Sequence, residues 1–270
     1  MRRRSASAKI NLALVVGLRR RDGKHEVATV LQRVDISDRI ELGDSDALRV
    51  EGFSDDTLVR DALEAFAGAA GVVPRWRVRI EKRIPVAAGL GGGSSDAATA
   101  LALANENVAE PLADLHPLAA ALGADVPFFL TSGPQLGRGD GSELEPLALP
   151  QDYWVVLVLP RGGHKESTAS AYARFDARDG MDGFEERRRE LLERLRHVRR
   201  PADLALLPPN DLLSSPVAAL LREHGAFRAD VSGAGAAVYG LFAREGDAQR
   251  AAAKLRPVGR IWLTAPAWYV

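Results

Sequence analysis

Residues 85–98 read PVAAGLGGGSSDAA, and four of the five positions from 89 to 93 are glycine. Glycine costs backbone entropy on folding, so such a cluster needs a physical use. Its flanks say where it lies. Before it, RWRVRIEKRI (75–84) alternates with the period of a strand, and after it Asp96 to Ala104 is rich in alanine and leucine, a helix able to pack closely. A strand, a glycine turn and a helix bring several main-chain N–H groups and the positive end of a helix dipole to one point, which makes an anion site. Without Cβ atoms the main chain can approach phosphate oxygens, and Ser94 and Ser95 add hydroxyls for an oxygen or for Mg2+. The loop is not a Walker A sequence, because no Lys-Ser or Lys-Thr pair follows. Nor is it a GxGxxG fingerprint, because Ser94 stands where the third glycine belongs. A flexible turn with a serine helix cap is the plainer alternative.

Outward from the loop, the even positions from Ala6 to Val16 are all apolar, which predicts a strand with one face on a core and with Lys9 and Asn11 on the other. Asp22-Gly23 marks a tight turn into a second strand over Val27 to Val34. Residues 55–70 carry a helical stripe (Leu58, Val59, Ala62, Leu63, Phe66, Ala70), and Leu112, Leu115, Leu118, Ala119 and Leu122 mark another helix. Proline flanks an apolar strand at Trp154 to Leu159, which sets a domain boundary near 150 and divides the chain into 1–150 and 151–270. The second half predicts helices from about 166, from about 184 to 198 and over 215–223. Two strands follow around VSGAGAAVYGLF (231–242), then a helix and a closing strand at RIWLTA (260–265). Without strict βαβ alternation the fold class is α+β.

The chain of 270 residues is 46% hydrophobic and 27% charged with a formal net charge of zero, the profile of a globular protein without the basic excess of a nucleic-acid binder. RRRELLERLRHVRR (187–200) interleaves Glu190 and Glu193 with arginine, as a solvated helix face does. There is no cysteine, so disulfides, thiolate nucleophiles and Cys-ligated metals are excluded. The five histidines show no metal-ligand spacing. MRRRSASAKINLALVV at the start is basic and then apolar, but Lys9 and Asn11 interrupt it. With no window approaching a membrane span, the expected location is cytoplasmic.

KRIPVAAGLGGGSSDAATALALAN (82–105) resembles the nucleotide loop of the GHMP kinases. SAKINLALVVGLRRRDGKH (7–25), LGADVPFFL (122–130) and DVSGAGAAVYGLF (230–242) fall in family order and narrow the resemblance to the branch acting on a cytidine-diphosphate-linked methylerythritol. The resemblance implies a two-domain α+β fold, with an N-terminal domain of the ribosomal-protein-S5-like type and a C-terminal α/β sandwich domain. It implies transfer of the ATP γ-phosphoryl group to a substrate hydroxyl, at position 2, in non-mevalonate isoprenoid precursor synthesis, with Mg2+ as cofactor and a monomer or homodimer as the working form.

Carried over residue by residue, Lys9 and Asp125 are the catalytic pair. Pro85, Val86, Ala87, Ala88, Gly89, Leu90, Gly91, Gly92, Gly93, Ser94, Ser95 and Asn105 are the ATP contacts, with Ser95 as the Mg2+ ligand. Asn11, Lys24, His25, Thr168, Tyr172 and Gly233 are the substrate contacts. Read alone, Lys9 is a solvated lysine and Asp125 a turn-capping carboxylate. The sequence departs from the resemblance at Lys24, where the family carries an aromatic that stacks on cytosine. It departs again at Ala234 and Ala236, which replace serines, and at Thr57, which replaces an asparagine on the adenine side. In this reading Tyr172 stacks alone and Lys24 bonds the base edge or the diphosphate. Another small alcohol as substrate, or nucleotide binding without catalysis, are the alternatives.

Overall fold

Two antiparallel-rich sheets carry the chain, and the computed structural model describes residues 1–53, 57–162 and 167–267. In order, the first half holds β1 (Arg2–Arg19), β2 (His25–Asp44), β3 (Arg49–Glu51), α1 (Thr57–Ala70), β4 (Trp76–Glu81), α2 (Gly92–Asn105), α3 (His116–Leu122), β5 (Gln135–Arg138) and β6 (Glu143–Pro146). The second holds β7 (Trp154–Pro160), α4 (Thr168–Ala177), α5 (Phe184–His197), α6 (Pro216–Glu223), β8 (Arg228–Val231), β9 (Val238–Phe242), α7 (Glu245–Leu255) and β10 (Gly259–Thr264). Residues 55 and 56 of the expected first helix, Glu166, and the side chain of Thr57 lie outside the described residues.

β1 and β2 form a hairpin around the predicted Asp22-Gly23 turn, where Gly23 N donates to Arg20 O at 3.1 Å. β2 runs for 20 residues, so its other edge pairs twice: Thr29–Leu31 with β5 and Arg39–Asp44 with β4. β6 extends the sheet beyond β5, and β3 adds to β4 as its one parallel pair. Helices cover one face. Leu31, Ile40, Leu42, Val78 and Ile80 pack there against Leu63 and Phe66 of α1 and Ala97 and Leu101 of α2.

The second sheet runs β10-β7-β9-β8, all antiparallel. In β7, Val155 and Leu157 face a core shared with the first sheet, while Val156 and Val158 face α6 and α7. A strand buried on both faces shows an unbroken apolar run, which is how Trp154 to Leu159 reads. The shared core joins Ala8, Ile10 and Leu12 of β1 to Tyr239 and Leu241 of β9 and Leu191 of α5. The fold is therefore α+β with mixed helix and sheet, as the sequence implies.

β1 corrects one expectation. The even residues from Ala6 to Val16 do not share a face throughout: a register shift between Ser7 and Ala8 leaves Ala6 against the helices, and a bulge between Asn11 and Ala13 reverses the alternation again. Ala8, Ile10 and Leu12 are followed into the shared core by Ala13 and Val15, whereas Leu14 turns to the side of Lys9 and Asn11. Nothing in the sequence marks that bulge, since apolar residues occupy both faces beyond it.

Candidate active site

α2 begins inside the glycine cluster, at Gly92, four residues before the helix expected at Asp96. Gly91 is the cap and takes a left-handed conformation at φ 70°. The first turn of the helix is therefore Gly92, Gly93, Ser94 and Ser95; Ser95 N donates back to Gly91 O at 2.9 Å, whereas the N–H groups of Gly92, Gly93 and Ser94 precede that first helical bond. The preceding loop is pinned through its carbonyls: Leu90 O accepts from Lys9 N at 2.9 Å, Gly89 O from Ser232 Oγ at 3.0 Å, and Ala88 O from Ala237 N at 3.0 Å. Its N–H edge is left for a ligand.

The glycines have a second use that sequence reasoning missed. At Gly89, φ is +79° and a Cβ would stand 2.2 Å from Ser232 O; at Gly91 a Cβ would stand 2.8 Å from the Phe129 ring and 3.0 Å from Lys9 Cγ. The loop is glycine-rich to let it nest against the protein as well as to admit phosphate. Ala87, with φ 62°, holds a left-handed conformation without glycine's freedom.

One cavity of about 470 Å3 gathers the loop and most of the candidate residues: Lys9, Asn11, Pro85 to Ser94, Asp125, Thr168, Tyr172 and Gly233. Lys9 is buried, and its Nζ lies 3.3 Å from the Asp125 carboxylate. Lys9 Nζ also donates to Asn11 Oδ1 at 2.7 Å, Asn11 Nδ2 donates to Thr29 Oγ1 at 2.8 Å, and Thr29 Oγ1 donates to Ala13 O at 2.8 Å. This chain fixes which way the Asn11 amide faces and holds the ammonium over the cavity floor. Gly233 closes beside it, since a Cβ there would stand 3.3 Å from Asn11 Oδ1 and 3.5 Å from Lys9 Nζ.

Asp125 stands between α3 and a 3₁₀ turn at Pro127–Leu130. Arg33, buried, anchors that turn: its guanidinium donates to Phe128 O at 3.1 Å and Thr131 O at 2.6 Å and lies 5.4 Å from the Phe128 ring centre. Beneath the glycine loop Lys82 bridges two fully buried carboxylates, Asp38 and, at 2.7 Å, Asp96. Burial works against the Lys82 charge, but the Asp96 and Asp38 carboxylates outweigh it and leave the ammonium above its ordinary pKa. Lys82 and Asp96 stand in the glycine-loop segment but with no part assigned to them there, Arg33 and Asp38 lie outside every motif, and only the fold shows what the four do.

Tyr172 stacks on His25, ring centres 4.5 Å apart, and His25 Nε2 lies 2.8 Å from Asp176 Oδ1. Burial and then the Asp125 charge push the Tyr172 hydroxyl up to about 12, so it stays a neutral donor. His25 is buried behind Tyr172 and is not on the cavity wall.

Three other expectations change. Lys24 is turned away from the cavity and bonds the Asp140 carboxylate, and it is Asp140 that lines the wall. Ser95 is buried in the first helical turn, so Ser94 is the serine on the wall. Asn105 ends α2, about 20 Å along the axis from its start. There its amide accepts from Leu112 N at 2.7 Å and donates to Leu112 O at 3.1 Å, so it anchors a loop and lies off the cavity wall. The apolar end of the cavity is formed instead by Phe53, Leu58, Pro85 and Val86.

Among the described residues no group of three His, Asp or Glu side chains gathers to hold a metal, and no helix is long and apolar enough to cross a membrane. The cavity offers a cation the Asp125 carboxylate and the Ser94 hydroxyl, an incomplete oxygen set of the kind Mg2+ completes with phosphates and water.

A helix start in a glycine loop, a Lys–Asp pair at its mouth and this pair of sheets define a kinase of the GHMP class, and comparison agrees. The GHMP kinases N-terminal domain matches residues 57–133 and the GHMP kinases C-terminal domain residues 181–260. The chain is 37% identical to the 4-diphosphocytidyl-2-C-methyl-D-erythritol kinase of Desulfitobacterium hafniense, over 96% of this chain and 93% of that one. It is 38% identical to that of Pelotomaculum thermopropionicum, over 93% and 92%. A crystal structure of 4-(cytidine 5'-diphospho)-2C-methyl-D-erythritol kinase superposes with a TM-score of 0.80 at 34% identity, covering 98% of this chain and 99% of the other. A mevalonate kinase structure shares the fold at a TM-score of 0.74 and 15% identity, over 98% and 99%. The chain belongs to the 4-diphosphocytidyl-2-C-methyl-D-erythritol kinase family of the GHMP kinases.

Proposed function

We propose that this protein transfers the γ-phosphoryl group of ATP to the 2-hydroxyl of 4-diphosphocytidyl-2-C-methyl-D-erythritol. The observation that carries the reading is the 3.3 Å Lys9–Asp125 pair facing the same cavity as the glycine loop and the start of α2.

Phosphoryl transfer has a loose transition state, so catalysis is mostly positioning and electrostatics. The N–H groups at the start of α2 and the helix dipole suit the triphosphate, and the apolar end at Phe53 and Leu58 suits adenine. The substrate hydroxyl oxygen forms a bond to the γ-phosphorus as the bond to the β–γ bridging oxygen breaks. Asp125 orients that hydroxyl and accepts its proton, while Lys9, held by Asn11, places positive charge where the equatorial oxygens gather it. Ser94 and Asp125 are the wall residues that would hold Mg2+, which when bound would supply charge neutralisation for the nucleotide phosphates. Thr168 and Tyr172, beyond Asp125, suit the cytidine end.

The test is incubation of the purified protein with Mg-ATP and, separately, the cytidine substrate, homoserine and mevalonate, following ADP release and the phosphorus NMR of the product. Turnover confined to the cytidine substrate supports the reading. Turnover on another alcohol, or ATP binding with no turnover on any, refutes it.

A further inference from the structure

Where the Lys24 side chain leaves the cavity, a carboxylate takes its place on the wall. Asp140 sits at the tip of the turn between β5 and β6, and its two oxygens are held differently. Oδ1 accepts from Ser142 N at 3.1 Å and Ser142 Oγ at 2.6 Å, and Oδ2 accepts from Lys24 Nζ. A carboxylate has about four acceptor sites, so one on Oδ2 is left. The turn is fixed against the cavity: Val27 N donates to Gly139 O at 2.8 Å, and Gly141 faces Val27 and Ala124, the neighbour of Asp125. Burial alone would raise the Asp140 carboxyl, but the hydrogen bonds from Lys24 and Ser142 outweigh it and hold it down at about 2. At neutral pH it is an anion that accepts and cannot donate.

Unlike Asp125, Asp140 has no Lys9 on the cavity side to offset a phosphate, since its own cation, Lys24, lies off the wall, so this part of the wall suits the uncharged end of a ligand. Tyr172, on the same cavity, offers a flat aromatic surface backed by His25. A flat ring and a fixed acceptor on one cavity suit a nucleobase with an amino edge. Cytosine presents its N4 amino group as a donor, whereas uracil carries a carbonyl at that place and would set oxygen against oxygen.

We propose that Asp140 is the specificity-determining residue for the base, accepting a hydrogen bond from the cytosine N4 amino group, and that Lys24 is its positioning residue. The inference rests on the cytidine reading of the site given above. It assigns Lys24 no direct contact with base or diphosphate.

The experiment compares inhibition by cytidine diphosphate and uridine diphosphate for the full-length wild type, Asp140→Asn and Lys24→Met, with ATP KM measured alongside. Asparagine keeps the shape but offers both a donor and an acceptor. The wild type is expected to prefer cytidine diphosphate by on the order of tenfold or more. In Asp140→Asn the two inhibitors should come within about threefold of each other, with ATP KM unchanged, and Lys24→Met should lie between. Full preference retained in Asp140→Asn overturns the inference and leaves the cytidine reading standing. Equal weakening of both inhibitors also overturns it, because that is the mark of a ribose contact. A wild type that binds ATP but neither diphosphate overturns the inference together with the reading beneath it.

Discussion

Gly235 lies so close to Ala88 that a Cβ on it would stand 2.2 Å from the Ala88 carbonyl carbon. The contact locks the loop between β8 and β9 onto the phosphate loop, and Ser232 repeats it by donating to Gly89 O at 3.0 Å. The two sheets thus meet at the nucleotide site as well as in their shared core. Gly235→Ala should destabilise the protein by roughly 1–3 kcal/mol through overpacking and raise the ATP KM, because the displaced atoms belong to the loop. Thermal melts and initial rates check this; unchanged values for both would show that the contact yields freely.

Ala87 occupies a left-handed conformation at φ 62°, which costs an L-residue roughly 1–2 kcal/mol. Ala87→Gly removes that strain while adding about 0.5–1 kcal/mol of unfolded-state entropy, so a small rise in Tm is expected. Ala87→Val, β-branched in the same conformation, should lower Tm. Melting curves of the two variants should move in opposite directions.

Lys82 is the cation between Asp38 and Asp96, both fully buried. Lys82→Met leaves two buried carboxylates without it and should cost roughly 3–5 kcal/mol. The sign with pH follows from the raised Lys82 pKa: its contribution is complete below the unfolded value near 10.4 and is lost as pH rises through the folded one. Denaturant titrations at pH 7 and pH 9 should therefore give the same deficit for the variant, and a deficit that vanished at pH 9 would contradict this placement.

Asp140 is depressed to about 2, so it stays charged at every pH an assay can use. Its stabilising pair with Lys24 is present above the unfolded value near 3.9 and is lost as pH falls through the folded value. Preference for cytidine over uridine diphosphate should accordingly be flat from pH 5 to pH 8. A preference that titrates away toward pH 5 would point to a different group.

The glycine loop was legible because its chemistry is local: glycine, serine and a helix start sit in one short stretch. Lys9 and Asp125 were legible through resemblance alone, since each has an ordinary reading by itself, and only the fold shows that they pair. The β1 bulge left no trace because apolar residues fill both faces beyond Asn11. β5 and β6, of four residues each, are too short for alternation to register. Asp140 and the Lys82 cluster depend on partners far along the chain, and Lys24 was misplaced because its partner was unknown. Asn105 was misassigned because a helix of 14 residues carries its end away from the loop that begins it.

The most direct measurement is kcat for Asp125→Asn on the cytidine substrate at saturating Mg-ATP, with ATP affinity measured separately. Asparagine still fills the position beside Lys9 but cannot take the hydroxyl proton. A fall in kcat of about 10²-fold or more, with ATP affinity within about twofold of wild type, is the predicted result. A kcat within about threefold of wild type would contradict the assignment of Asp125 and Lys9 as the reacting pair.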